Sequence, residues 1–185
     1  MRKSVWSLVA IATLAFTAFA AFAQNNPMVG GAPMYRTRDI VDNAVNSADH
    51  TTLVAAVKAA GLVDTLKSRG PFTVFAPTNA AFSALPAGTV DTLLLPENKA
   101  TLTKVLTYHV VSGSYDSRKL MKLIKRGHGT AMLKTVSGGT LTFRMNGNGI
   151  IVTDERGGSA NVTTADVYQS NGVIHVVDAV LMPAM

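Results

Sequence analysis

The sequence predicts an α+β domain on three observations. Residues 39–70 carry apolar side chains at helical spacing, with Gly61 and Gly70 placed as helix ends. Residues 130–182 read instead as short strands between glycine- and asparagine-rich turns. No segment repeats another, and helices precede strands instead of alternating with them, which is the α+β order.

The 185-residue chain opens with Arg2 and Lys3, followed by an uncharged run over residues 4–23 that ends in Ala21-Phe22-Ala23. That pattern predicts a signal peptide over residues 1–23. Its apolar run approaches the ~20 residues of a membrane span, so a retained anchor is the competing reading. Residues 24–38, with Pro, Gly and Asn and no apolar period, are expected as a flexible lead-in. The single domain is then residues 39–183, large enough for a core of its own.

Within it, Ile40, Val41, Ala44 and Val45 mark a first helix. A break falls at Asp49 or His50; Leu53, Val54 and Val57, then Leu62, Val63 and Leu66, mark further helices. "FTVFAPTNAAF" (72–82) is a strand that Pro77 stops and a helix that Thr78 and Asn79 cap. Pro86 and Gly88 make a turn, Pro96 divides two short helices, and "YHVV" (108–111) has strand character. Leu141, Phe143 and Met145 alternate with Thr142 and Arg144, which predicts one dry face and one wet face. "VIHVV" (173–177) is apolar on both faces except at His175 and should be a central strand.

Composition excludes several chemistries. With no cysteine there are no disulfides, thiolate nucleophiles or cysteine-ligated zinc. "GGSAN" (157–161) lacks the last glycine of a nucleophile elbow, and "GNGIIV" (147–152) leads into a strand, not the helix of a dinucleotide loop. Both read as hairpin turns, and no catalytic constellation or cofactor is expected.

Three segments, "TVFAPTNAAF" (73–82), "TYHVVSG" (107–113) and "NGVIHVVDAVL" (171–181), together with "DIVDNAV" (39–45), resemble the fasciclin (FAS1) domain family in order and spacing. The resemblance covers roughly residues 37–183. It implies a wedge of two β-sheets with helices on one side and edge, and export as a secreted or periplasmic protein. It also implies a role in adhesion to a cell-surface or matrix protein or a glycan, with no shared catalytic mechanism. Some members resemble carriers of hydrophobic small molecules such as lipids or carotenoids, which is the alternative function; for Met121, Met132 and Met145 two readings stand, lining such a groove or filling the core.

The resemblance makes Tyr108, His109, Val110 and Val111 candidate partner-binding residues. The competing reading is structural: a histidine between a helix end and a strand pins that junction. No RGD tripeptide accompanies the motif. Pro77, Thr78, Asn79, His175 and Asp178 are expected as structural residues. His109 and His175 with Asp178 or Asp166 form a conceivable metal set, but no ligand spacing supports it over a buried neutral histidine. His128, between glycines, is expected in an exposed loop.

The formal charge is +6, and it falls to +4 without residues 1–23, leaving 15 basic against 11 acidic side chains. Arg118, Lys119, Lys122, Lys125 and Arg126 hold five of those positive charges within nine residues. If that stretch is helical, Arg118, Lys122 and Lys125 share a face and Leu120, Leu123, Ile124 and Met121 cover the others. Two readings stand: a dock for an anionic glycan, lipid surface or acidic protein, and an ordinary solvated helix face. Nucleic acid is not expected, because the segment lacks aromatic side chains for base stacking. Asn161-Val162-Thr163 is an N-x-T sequon.

Overall fold

Two parallel strands hold the centre. The computed structural model describes residues 26–184, and the signal-peptide reading lies outside them. Strand β3 (Phe72–Pro77) runs parallel to β9 (Gly172–Val177), and β4 (Val110–Ser112) flanks β3 antiparallel. In both β3 and β9 alternate side chains enter different cores. Val74, Ala76, Ile174 and Val176 face a helical layer, while Phe75, Val173, His175 and Val177 are fully buried on the other side. Such two-sided burial explains why these runs are almost continuously apolar.

The remaining strands are β5 (Thr130–Lys134), β6 (Thr140–Asn146), β7 (Gly149–Thr153) and the 11-residue β8 (Ser159–Gln169). They extend β4-β3-β9 into one seven-stranded sheet, in the order β4-β3-β9-β8-β7-β6-β5. The sheet does not stay flat. β8 pairs with β7 over Ser159–Asn161 and with β9 from Val162 onward, and its register shifts on either side of Thr164. Unpaired residues bend a strand, and here Asp166 takes φ +61°. The ribbon folds over there into two leaves, and its far edges meet: Val111 bridges Thr135, and the Val136 N–H donates to the Val110 carbonyl at 2.7 Å. The two-sheet wedge is thus one continuous sheet, bent at β8. A separate two-stranded hairpin, β1 (Met28–Val29) with β2 (Ala32–Pro33), completes the strands.

Helices α1 (Ile40–Ala44), α2 (Thr51–Ala60), α3 (Val63–Lys67), α4 (Asn79–Ser83), α5 (Thr89–Leu94) and α6 (Lys99–Tyr108) contribute to the first core. Helix α7 (Ser117–Arg126) sends Leu120 and Ile124 into the second, between the leaves, beside Phe75, Tyr108 and Phe143.

Several local expectations need correction. The lead-in expected to be flexible carries the β1–β2 hairpin, and its Val29 and Met34 are buried in the helical core. Its two adjacent glycines, which suggested a linker, form the hairpin turn. Gly61 does end α2, with φ +73°, but Gly70 caps nothing; α3 ends at Ser68, and Gly70 packs so close to Asn171 that a Cβ would lie 2.3 Å from its carbonyl oxygen. Tyr108 ends α6 rather than starting a strand. Met145 shares the inward side of Leu141 and Phe143, yet it sits at the strand end and is exposed.

At the 72–82 corner the Thr78 hydroxyl accepts from the Ala81 N–H at 3.3 Å and caps α4. Asn79 does something else. Its side-chain oxygen accepts from the Thr52 N–H at 3.0 Å, and its nitrogen donates to the Ala48 carbonyl at 2.8 Å. Helix α2 has no capping side chain of its own, so Asn79 caps it from across the fold.

Candidate functional site

The Tyr108–Val111 motif lies inside the protein. Tyr108 and Val111 are 0% and 2% exposed, His109 3% and Val110 6%. The Tyr108 hydroxyl donates to the Thr140 carbonyl at 2.8 Å and accepts from the Glu155 N–H at 3.0 Å. Its ring packs on Gly139, where a Cβ would come within 2.6 Å. Burial pushes the phenol up to about 12. All four side chains are buried, which agrees with the structural reading of the motif and leaves little surface for a partner.

His109 is a brace. Its Nδ1–H donates to the Val105 carbonyl, and its Nε2 accepts from the Leu181 N–H, both at 2.9 Å. That pattern requires the neutral ring. Burial moves its pKa down to about 4, against the opposing pull of the Val105 carbonyl and Asp154. His175 is equally committed: Nε2–H donates to the Tyr115 carbonyl at 2.8 Å, Nδ1 faces the Asp166 N–H at 3.4 Å, and the ring stacks on Phe75. Burial lowers its pKa too. Asp178 accepts from the Asn161 backbone and side-chain nitrogens at 2.7 and 2.9 Å, so the sequon asparagine is itself engaged. The ring nitrogens of both histidines are therefore spent on the fold, and the conceivable metal set is not assembled.

The basic segment behaves differently. Asp116 caps α7 through the Lys119 N–H at 2.8 Å, and Asp166 in the β8 bend accepts from the Ser117 N–H at 2.6 Å. Leu120 and Ile124 anchor the helix, leaving Arg118, Lys119, Lys122, Lys125 and Arg126 in solvent. None of the five is ion-paired; the salt bridges among the described residues join Lys67 to Asp39 and Asp42. Lys119 donates to the Ser114 carbonyl and lies 4.2 Å above the Tyr115 ring.

The fold adds cations that the sequence did not connect to this helix. The Arg36 guanidinium lies 4.4 Å over Tyr168, whose hydroxyl donates to Asp116 at 3.2 Å. Arg38 lies 4.7 Å over Tyr35. Arg36 thus approaches the start of α7 through Tyr168. No local signal could have found this, since the pairing is between residues more than 130 positions apart.

An apolar cavity of ≈ 70 Å³ lies under α2, lined by Leu53, Val57, Val74, Leu106, Ile174 and His50 among others. Ser47 contacts the Nδ1 of His50 at 2.8 Å, and its buried Nε2 has no partner. Met121, Met132 and Met145 do not line it.

This architecture defines a class. The fasciclin-domain family model matches residues 48–183, and the chain belongs to that family. It is 44% identical to protein sll1483 of Synechocystis, over 93% of this chain and 96% of that one. It is 38% identical to the immunogenic protein MPB70 of Mycobacterium bovis, over 89% of this chain and 79% of that one. The transforming growth factor-beta-induced protein ig-h3 of Sus scrofa is 37% identical over 71% of this chain, which spans 17% of that longer protein. A FAS1 domain pair from the insect cell adhesion molecule fasciclin I shares the fold, with a TM-score of 0.68 at 19% identity, over 78% of this chain and 51% of that one.

Proposed function

We propose that this chain is an exported, non-catalytic interaction module that docks on an anionic partner surface through the cationic face of α7. The observation that carries this reading is the set of five solvent-exposed, unpaired cations on one anchored helix. Arg36, stacked on Tyr168 beside Asp116, adds a further cation near the start of the helix. Unpaired surface charge costs solubility nothing, and it steers oppositely charged partners by long-range attraction. The relatives support an interaction role: one comes from a cell adhesion molecule, and a Mycobacterium bovis relative, 33% identical, is a cell surface glycolipoprotein. No helix among the described residues is long and apolar enough to cross a membrane.

The test is a Lys122→Glu/Lys125→Glu double variant. Retention on acidic polysaccharide, on anionic vesicles and on an acidic protein is measured at low and physiological salt. The wild-type chain should be retained on at least one surface and released by salt, because exposed charges are screened beyond about 8 Å at 0.15 M. The variant should be lost from that surface. Equal retention of both proteins would remove α7 as the dock, and which surface retains the wild type identifies the partner class.

A further inference from the structure

A second basic site lies beside α5 and α6, with no lining residue in common with the apolar cavity under α2. The turn before α5, the α5 and α6 helices, the β7–β8 turn and residues 182–183 enclose a surface groove of ≈ 360 Å³. That places it toward the low end of small-molecule clefts, about 300–1,000 Å³. Leu93, Val105, Met182 and Pro183 give it an apolar lining, while Lys104 and Arg156 are its two charged residues.

These two cations stand free although acids are close by in the chain. Asp154 accepts from the backbone N–H groups of Arg156, Gly158 and Met182 at 2.7–2.9 Å. Glu155 accepts from the Thr140 and Ala184 N–H groups at 2.9 and 3.1 Å. Both carboxylates thus hold backbone in place, and neither pairs with Lys104 or Arg156. The Lys104 ammonium donates once, to the Ala184 carbonyl at 2.9 Å, and keeps two of its three donors. Arg156 is fixed at its base by the Asp154 turn and makes no ion pair among the described residues. Thr89, Thr92 and Thr101 add hydroxyl-bearing side chains to the walls.

We propose that this groove binds an amphiphilic monocarboxylate, its apolar body against Leu93, Val105 and Met182 and its carboxylate held by Lys104 and Arg156. An apolar lining favours burial of a hydrocarbon body. Two uncompensated cations at its border select an anionic head, and a guanidinium matches a carboxylate in shape. The site shares no residue with the α7 surface and stands or falls separately from it.

Octanoate, 1-octanol and octylammonium serve as probes, with binding followed by calorimetry and by methyl NMR of the intact domain. Octanoate should shift the Leu93, Val105 and Met182 methyls and bind about tenfold more tightly than the alcohol, as charge-assisted hydrogen bonds predict. Lys104→Met and Arg156→Met should each weaken octanoate several-fold, leave octanol unchanged and unfold at the wild-type temperature, since both side chains are exposed. Equal affinity for octanoate and octanol, indifference to both substitutions, or shifts confined to Leu53 and Val57 of the apolar cavity would each overturn the proposal.

Discussion

His109 joins helix α6 to the C-terminal segment: it donates to Val105 one turn back and accepts from Leu181, 72 residues on. One imidazole thereby satisfies a helix-end carbonyl and a backbone N–H that would otherwise be buried without a partner. Both bonds exist together only while the ring is neutral.

Stability should therefore depend on pH in a defined window. The folded pKa of His109, about 4, lies below its ordinary value of 6.5, so the unfolded chain binds the proton first on acidification. The stabilisation is complete above about pH 6.5 and is lost as pH falls toward 4, on the order of 3 kcal/mol for a fully buried group. His175 and His50 are lowered in the same direction by burial and add to the effect. Urea unfolding between pH 7.5 and 4 should show a declining free energy, with a shallower decline in His109→Gln. The same slope in both proteins would assign the pH dependence to other groups.

Tyr108→Phe should cost about 1–2 kcal/mol, because the Glu155 N–H and the Thr140 carbonyl both lose their link to the hydroxyl. Binding to any surface should be unaffected, since Tyr108 is fully buried. A variant of wild-type stability with weakened binding would reverse this assignment.

Thr78→Ala and Asn79→Ala separate two adjacent caps. Loss of the Thr78 cap should cost about 1 kcal/mol. Asn79→Ala should cost more, about 2 kcal/mol, because it frees the Thr52 N–H and the Ala48 carbonyl together. Thermal unfolding of the two variants in parallel checks the order; a milder effect at Asn79 would mean that water replaces its bonds without loss.

Gly172→Ala should be among the most damaging small substitutions. A Cβ there would lie 2.2 Å from the Phe72 carbonyl oxygen, at the start of the parallel β3–β9 pair inside the sheet. A loss of at least ~2 kcal/mol is expected from a clash with backbone that cannot turn aside. Denaturant unfolding measures it, and a near-neutral result would show that the strands separate locally at little cost.

Elements with a strong internal rhythm were legible in the chain. The β3 strand and its Pro77–Thr78 ending follow from residue type and spacing, and so do α2 up to Gly61 and the central position of "VIHVV". Amphipathic α7 was legible as well: Leu120 and Ile124 are buried and the five cations exposed, as a 3.6-residue period requires. The hairpin in residues 28–33 was not, because two-residue strands carry no period and its core contacts come from distant helices.

The site divides along the same line. That the basic charge is concentrated in residues 118–126 was contained in the order of residues alone, since charge and helical periodicity are local properties. Only the tertiary structure decided that Tyr108–Val111 would be enclosed, because a Tyr-His pair reads alike on a surface or in a core until the bent sheet closes over it. It also decided that Arg36 would meet Tyr168 and that Lys104 and Arg156 would share a groove. Those neighbours are set by the bend at β8 and the packing of helices on the sheet, and such long-range closure leaves no trace in any short stretch of sequence.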